Sequence, residues 1–220
     1  MTCFHACSST DASAPESLPP TDQARLESWK SELRHQTLAR RRTVRDEDHR
    51  QAGAYLATVC RLSGLLDHAR TIAAYVSMGT EVPTLPLLRY LTQTNARILV
   101  PVLGTGMELG WAELHDPNDL HDCGPRRPAE PEGPVLPAEA VSDADVIITA
   151  ALLANHQGIR LGRGGGWYDR MLALRDQGSR VVSVVWPWEF VDQPLPHEPH
   201  DQLVDGVLTP KAFTACPHAR

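Results

Sequence analysis

Four short runs of β-branched and aliphatic residues, TIAAYV (71–76), RILVPV (97–102), DVIIT (145–149) and RVVSVVW (180–186), recur along the chain with helix-like stretches between them. No other feature constrains the fold as strongly. The runs have strand length, while LPLLRYLTQ (85–93) and WYDRMLALRDQ (167–177) carry helical spacing. Such alternation predicts an α/β fold: an open, mostly parallel sheet with helices on both faces, in a three-layer, Rossmann-like architecture. Ligands of such sheets collect at the C-terminal ends of the strands, so the loops after 76, 102, 149 and 186 are where chemistry is expected.

The flanking segments set the domain limits. Residues 1–20 are rich in Ser, Thr, Ala and Pro and nearly free of aliphatic side chains, so they cannot offset their own ordering entropy and are expected to form a disordered tail. From Thr21 the spacing turns helical, with Leu26, Trp29 and Leu33 on one face. A second helix is expected from Asp46, a good N-cap type, with Tyr55, Leu56, Val59 and Leu62 facing inward and Gly64 loosening its end. With 220 residues and 42% hydrophobic content, the chain can bury one sizeable core, assigned to a single domain over 21–213 with a short C-terminal tail at 214–220. Pro125, Pro128, Pro131, Pro134 and Pro137 recur every third residue, which suits an extended surface connector between strands.

Composition excludes several function classes. A formal charge of −6 and a pI near 5.9 give no electrostatic footprint for nucleic acid or an anionic membrane, so any anion site must be local. There is no run of 18 apolar residues, and the first 20 residues lack the basic start and apolar stretch of a signal peptide. A cytoplasmic, soluble monomer is expected. Cys3, Cys7, Cys60, Cys123 and Cys216 are odd in number and contain no C-x-x-C pair, which argues for reduced thiols. His197 and His200 in PHEPH have a spacing zinc tolerates, but no third and fourth ligand cluster with them in sequence.

The segment GIRLGRGGGWYDRML (158–172) carries five glycines. Glycine permits positive φ and close backbone approach, and successive turn residues can aim several N–H groups at one anion. Placed before the helix expected at Trp167, the segment is either a phosphate cradle or an ordinary glycine-rich surface turn. In the first case Arg160 and Arg163 add charge-assisted contacts, and Asp169 is either a partner for the helix dipole or a ligand for a metal bridging the phosphates. The segment is neither a Walker A loop nor a dinucleotide fingerprint. Lys30 and Arg34, four residues apart, share a helix face, and like charges at that spacing cost roughly 0.2–0.5 kcal/mol unless an anion joins them. Glu81 follows the first strand at the end where a ligand would lie, and both a solvated loop acid and a binding residue are open to it.

RLGRGGGWYDR closely resembles the RLGRGGGYYDR signature of the 5-formyltetrahydrofolate cyclo-ligase family. WKSELRHQTLARR, YVSMGTEVPT, ILVPVL, DVIITAALLANHQG and LPHEPHDQLVDGVLTP follow in that family's order, so the resemblance spans roughly residues 25–210. It implies an ATP- and magnesium-dependent ligase that cyclises 5-formyltetrahydrofolate, with or without a polyglutamate tail, to 5,10-methenyltetrahydrofolate, releasing ADP and phosphate. By the same resemblance, Lys30, Arg34, Arg160, Leu161, Gly162, Arg163, Gly164, Gly165, Gly166, Trp167 and Tyr168 bind ATP, and Lys30 and Arg163 are the catalytic cations. Glu81 accepts hydrogen bonds from the pterin, and Asp169 and Asp201 are associated with magnesium; Met78 and Trp111 are open to lining the flat pterin or to a core or rim packing role. The resemblance leaves Arg40 to Arg42 at the surface. Trp167, Ala150 and Asn155 depart from the family's usual tyrosine, proline and aspartate. Two other readings stand beside this one: a sugar-phosphate isomerase or CoA-transferase-like enzyme on a related sheet, and a nucleotide- or folate-binding protein without turnover.

Overall fold

The computed structural model describes residues 22–104, 108–125 and 127–217, so the tail expected at 1–20 lies outside the described residues. In chain order the elements are helices α1 (Asp22–Arg41) and α2 (Asp46–Leu62), strand β1 (Thr71–Ala74), helix α3 (Leu85–Leu91), and strands β2 (Arg97–Leu103), β3 (Leu109–Glu113), β4 (Val146–Ala150), β5 (Leu153–Asn155) and β6 (Arg160–Leu161). Helix α4 (Trp167–Leu172) and strands β7 (Arg180–Val184), β8 (Phe190–Val191), β9 (Gly206–Leu208) and β10 (Phe213–Ala215) complete them.

The main sheet has the order β10-β9-β7-β4-β1-β2-β3. Its five central strands, β9 to β2, are parallel, and each edge strand pairs antiparallel with its neighbour. All four strand-length runs are therefore parallel strands near their expected positions. Successive residues point to opposite faces. Ile72, Ala74, Ile98, Val100, Ile148 and Val182 face a core closed by α2 and α3. Ala73, Leu99, Ile147, Val181 and Val207 face a second core containing Met171 and Leu172 of α4 and Val141 of a 3-10 turn. Helices on both faces make the three-layer α/β architecture.

Four local expectations change. Arg45, in extended conformation, is the N-cap of α2, and Asp46 opens its first turn. Of the residues expected inward on α2, Leu56 is buried and Val59 is half-buried, whereas Tyr55 and Leu62 are 57% and 71% exposed because the helix packs through Ala52, Gly53, Leu56 and Cys60. The C-terminal segment is no tail from 214: β10 pairs with β9, and Cys216 is buried in the second core. Finally, α4 ends at Leu172, well short of 177. A three-stranded second sheet, β6-β5-β8, is interposed between β4 and the glycine segment. Its hairpin pairs Leu153 with Leu161 and Ala154 with Arg160.

Candidate active site

A cavity of about 790 Å³ opens at the C-terminal ends of β1, β2 and β4, where the sheet topology places it. Its walls are α1, the turn after β1, the glycine segment and the loop around residue 200.

Helix α1 lies over this cavity with a polar face inward. Lys30, Arg34, Thr37 and Arg41 recur at spacings of four, three and four, and so form one stripe. Lys30, Thr37 and Arg41 are buried, while Trp29, expected on the inward face, is 47% exposed. Leu26 is half-buried, and Leu33 packs at the flank against Leu153, Leu161 and Leu195. A helix that covers a charged site turns its cations inward when acids are there to meet them. Lys30 Nζ lies 2.7 Å from Asp201 Oδ2 and 2.8 Å from Glu198 Oε2. Burial alone would lower the Lys30 pKa, but the hydrogen bonds and charges of these two acids outweigh it and raise the pKa. In return, the Lys30 and Gln23 hydrogen bonds hold the Glu198 carboxyl down at about 2. Glu198 was not singled out from sequence; its only signal is an acid between the two histidines of PHEPHD. Glu198, His200 and Asp201 offer ligand atoms within 4.8 Å of one another. His197 does not line the cavity.

The glycine segment runs from β6 to α4 along the cavity edge. Arg34 Nε donates to Gly162 O at 3.0 Å, and its guanidinium lies against Gly164, where φ is +97° and an added Cβ would come within 3.3 Å of Arg34 Cζ. Gly166, with φ 61°, caps α4 in the left-handed conformation. Between them Gly165 is open, with nothing within 4 Å of the position of a Cβ. Among the described residues, the N–H groups of Arg163, Gly164, Gly165 and Gly166 donate to no backbone or side-chain acceptor. They are free to bind an anion. The six-residue α4 has little macrodipole to offer, so the local positive charge comes from arginine side chains rather than from the helix.

Arg160 and Asp169 form an ion pair at 2.6 Å, and Asp169 Oδ1 also accepts the Gln202 N–H at 3.1 Å. Leu161 is buried in the small core shared with Leu33, and its backbone begins the cradle. Tyr168 meets Trp167 edge-on with ring centroids 4.8 Å apart, and burial pushes its phenol well above the usual range. Trp167 Nε1 is buried with no hydrogen-bond partner among the described residues. Ala150 and Asn155 are both buried. Asn155 Oδ1 accepts the N–H groups of Gln157 and Ile159, which keeps the β5–β6 turn, while its Nδ2 has no partner.

On the opposite wall, Glu81 is 8% exposed. Its Oε2 accepts the Met78 N–H at 2.8 Å, and its Oε1 lies 3.3 Å from Arg163. Burial raises the Glu81 pKa, opposed by the Met78 N–H and by the charges of Arg163 and Arg41. Met78 lines the cavity, as do Pro101, Leu103 and Pro128, so the proline-rich connector contributes to the site. Trp111 does not. It is buried in the second core, where its Nε1 donates to Ala138 O at 3.1 Å, a bond that ties the indole to the 3-10 turn at Ala138–Asp143. Arg41 corrects the surface expectation for 40–42: it is 2% exposed and makes a two-pronged pair with Glu189 at 2.6 and 2.8 Å. Arg40 is exposed and lies over the Trp188 ring.

The structure therefore brings Lys30, Arg34, Arg160, Arg163, the glycines, Trp167, Tyr168, Asp169, Asp201, Met78 and Glu81 around one cavity. Comparison with known proteins points the same way. A 5-formyltetrahydrofolate cyclo-ligase from Mycolicibacterium smegmatis is 40% identical over 189 residues, covering 83% of this chain and 94% of that protein. Its Escherichia coli namesake is 29% identical over 174 residues, 78% of this chain and 94% of that protein. The solved structure of Aquifex aeolicus 5,10-methenyltetrahydrofolate synthetase superposes with a TM-score of 0.72 at 26% identity, covering 87% of this chain and 94% of that one. The 5-formyltetrahydrofolate cyclo-ligase family itself matches residues 26–210, and the chain belongs to it.

Proposed function

We propose that this protein catalyses the ATP-dependent cyclisation of 5-formyltetrahydrofolate to 5,10-methenyltetrahydrofolate, releasing ADP and phosphate. The observation that carries the reading is the juxtaposition across one cavity of an anion cradle with unused N–H groups and a buried carboxylate suited to pterin N–H donors. The chemistry is a phosphoryl transfer followed by ring closure. The formyl oxygen attacks the γ-phosphorus and ADP departs; N10 then attacks the activated formyl carbon, N10 gives up its proton, and phosphate leaves with the former formyl oxygen. Such a reaction needs positioning and charge neutralisation more than a protein nucleophile.

Lys30, Arg34 and the N–H groups of residues 163–166 hold the triphosphate, with Arg160, Leu161, Trp167 and Tyr168 shaping the rest of the ATP site. Lys30 and Arg163 serve as the catalytic cations at the transferring phosphoryl group. Glu81 accepts from the pterin ring beside Met78. Magnesium fits the hard oxygen donors of Asp169 and Asp201, which line the cavity and already face cations there, and when bound it would neutralise phosphate charge. We propose a cytoplasmic monomer that acts on 5-formyltetrahydrofolate with or without a polyglutamate tail. The acidic net charge gives no general footprint for nucleic acid or an anionic membrane, and among the described residues no helix is long and apolar enough to cross a membrane.

The test is direct. Purified protein mixed with MgATP and 5-formyltetrahydrofolate at neutral pH should produce the near-ultraviolet absorbance of the methenyl product. No rise in absorbance, with ADP also absent, refutes the proposal; tight binding of both ligands without turnover would establish the non-catalytic reading instead.

A further inference from the structure

Glu81 is aimed into the cavity by a turn that is held from behind. Ser77 and Thr84 exchange N–H to hydroxyl bonds at 2.9 and 3.0 Å across the base of the turn. At its tip, Trp186 Nε1 donates to Thr80 O at 3.0 Å, and His49 Nε2 from α2 lies 2.9 Å from Glu81 O. The His49 and Trp186 rings are 5.8 Å apart, so one packed unit grips two successive carbonyls. Trp186 is anchored in turn, because its N–H donates to Glu189 Oε2 at 2.8 Å. Glu189 is completely buried and takes both prongs of Arg41, whose remaining bond goes to Ala151 O at 2.7 Å.

A buried ion pair is costly to desolvate, and apolar replacements of similar volume often match or exceed its stability. Here Arg41 lines the cavity, Glu189 is buried behind it, and the pair is wired through Trp186 to the backbone that carries the substrate-facing acid. We propose that Arg41 and Glu189 are positioning residues for Glu81: acting through Trp186, they fix the Thr80–Glu81 turn and thereby set affinity for the pterin end of the folate, not for ATP. The inference rests on the role given above to Glu81. Arg41 has a second effect in the same direction. Arg41 and Arg163 are the two cations that oppose the upward push of burial on the Glu81 carboxyl, and Arg163, half-exposed on the glycine segment, is the one assigned to phosphate. Arg41 stays in place whatever Arg163 binds.

A double-mutant cycle tests the proposal. The variants are Glu189→Gln, Trp186→Phe and Glu81→Gln, alone and with each of the first two combined with the third, and calorimetry reads 5-formyltetrahydrofolate and MgATP binding separately. Glu189→Gln should weaken folate binding about tenfold and MgATP binding less than about twofold, and the Glu81→Gln/Glu189→Gln double variant should bind folate no more weakly than Glu81→Gln alone. Trp186→Phe removes the donor to Thr80 O together with part of the buried ring volume and leaves the Arg41–Glu189 pair in place, so it carries the same test if Glu189→Gln does not fold. Equal losses for both ligands, or losses that multiply in full in the double variant, would overturn the positioning role and leave Glu81 as assigned. Parent-like folate binding by Glu81→Gln would overturn the assignment of Glu81 itself, and the positioning role with it.

Discussion

Neighbouring glycines of the cradle should fail in different ways when substituted. Gly164 has φ +97° and lies against Arg34, whereas Gly165 has an ordinary φ and open space where a Cβ would go. Gly164→Ala forces an L side chain into a left-handed conformation, which costs about 1–2 kcal/mol, and also presses on the Arg34 guanidinium. For a domain of this size each kcal/mol lowers Tm by about 2–4 °C, so a drop of about 2–8 °C is expected. Gly165→Val meets nothing in the fold and should stay within about 0.5 kcal/mol of the parent, under about 2 °C. Its branched side chain instead fills the space in front of the free N–H groups. Losing one or two charge-assisted bonds to phosphate, at about 1.5–3 kcal/mol each, predicts MgATP binding weaker by about tenfold to about ten-thousand-fold. Gly178→Val, remote from the cavity, serves as the control and should spare ATP affinity even if it costs some stability. Thermal melts and MgATP titrations on all three variants decide the matter. A Gly165→Val protein that melts and binds MgATP like the parent would show that these amides are not the cradle.

Lys30→Met leaves Glu198 and Asp201 facing one another without their cation, and should raise the KM for ATP far more than the KM for folate; unchanged ATP kinetics would reduce Lys30 to a structural ion-pair partner. The Glu198 carboxyl, lowered from its ordinary 4.5 to about 2, contributes stability that is present above about pH 4.5 and lost as pH falls toward 2. Urea melts across that window should show this loss in the parent and a smaller one in Lys30→Met. Glu81→Gln should weaken folate binding and leave MgATP binding intact, as measured by calorimetry with each ligand alone. Trp111→Phe removes the bond to Ala138 O and some core volume, so it should cost about 1–3 kcal/mol of stability without changing either KM; a raised folate KM would return Trp111 to the site.

Four of the five central strands were legible because buried parallel strands must be runs of β-branched and aliphatic residues, and 71–76, 97–102, 145–149 and 180–186 have no competing pattern, whereas the three-residue β9 has too little sequence to show one. Strands β3, β10 and the β5–β6 hairpin were not. They have two to five residues each, too few for a strand period to show, and they pair with near neighbours across short turns, as when Phe213 meets Leu208 at the sheet edge. The inward face of α1 was misjudged for a different physical reason. Apolar spacing marks the buried face of a helix that covers a core, but α1 covers charged groups, and its true inward stripe is Lys30, Arg34, Thr37 and Arg41. Arg41 thus looked like one of three surface arginines until Glu189, 148 positions away, was seen to meet it. Glu198 was hidden similarly, since its partner Lys30 is 168 positions distant. The glycines, Lys30, Arg34 and Glu81 were recognisable through the family signature, and the fold adds why they act together: parallel topology brings Glu81 and the glycine segment to one end of the sheet, and α1 lays Lys30 and Arg34 over it.

The most direct measurement of the central claim is stoichiometry in a single reaction. With 5-formyltetrahydrofolate limiting and MgATP in excess, ADP and 5,10-methenyltetrahydrofolate should appear together in a one-to-one ratio, and Gly165→Val should slow both by the same factor. Release of ADP at the same rate with and without the folate, or no methenyl product at all, would contradict the account.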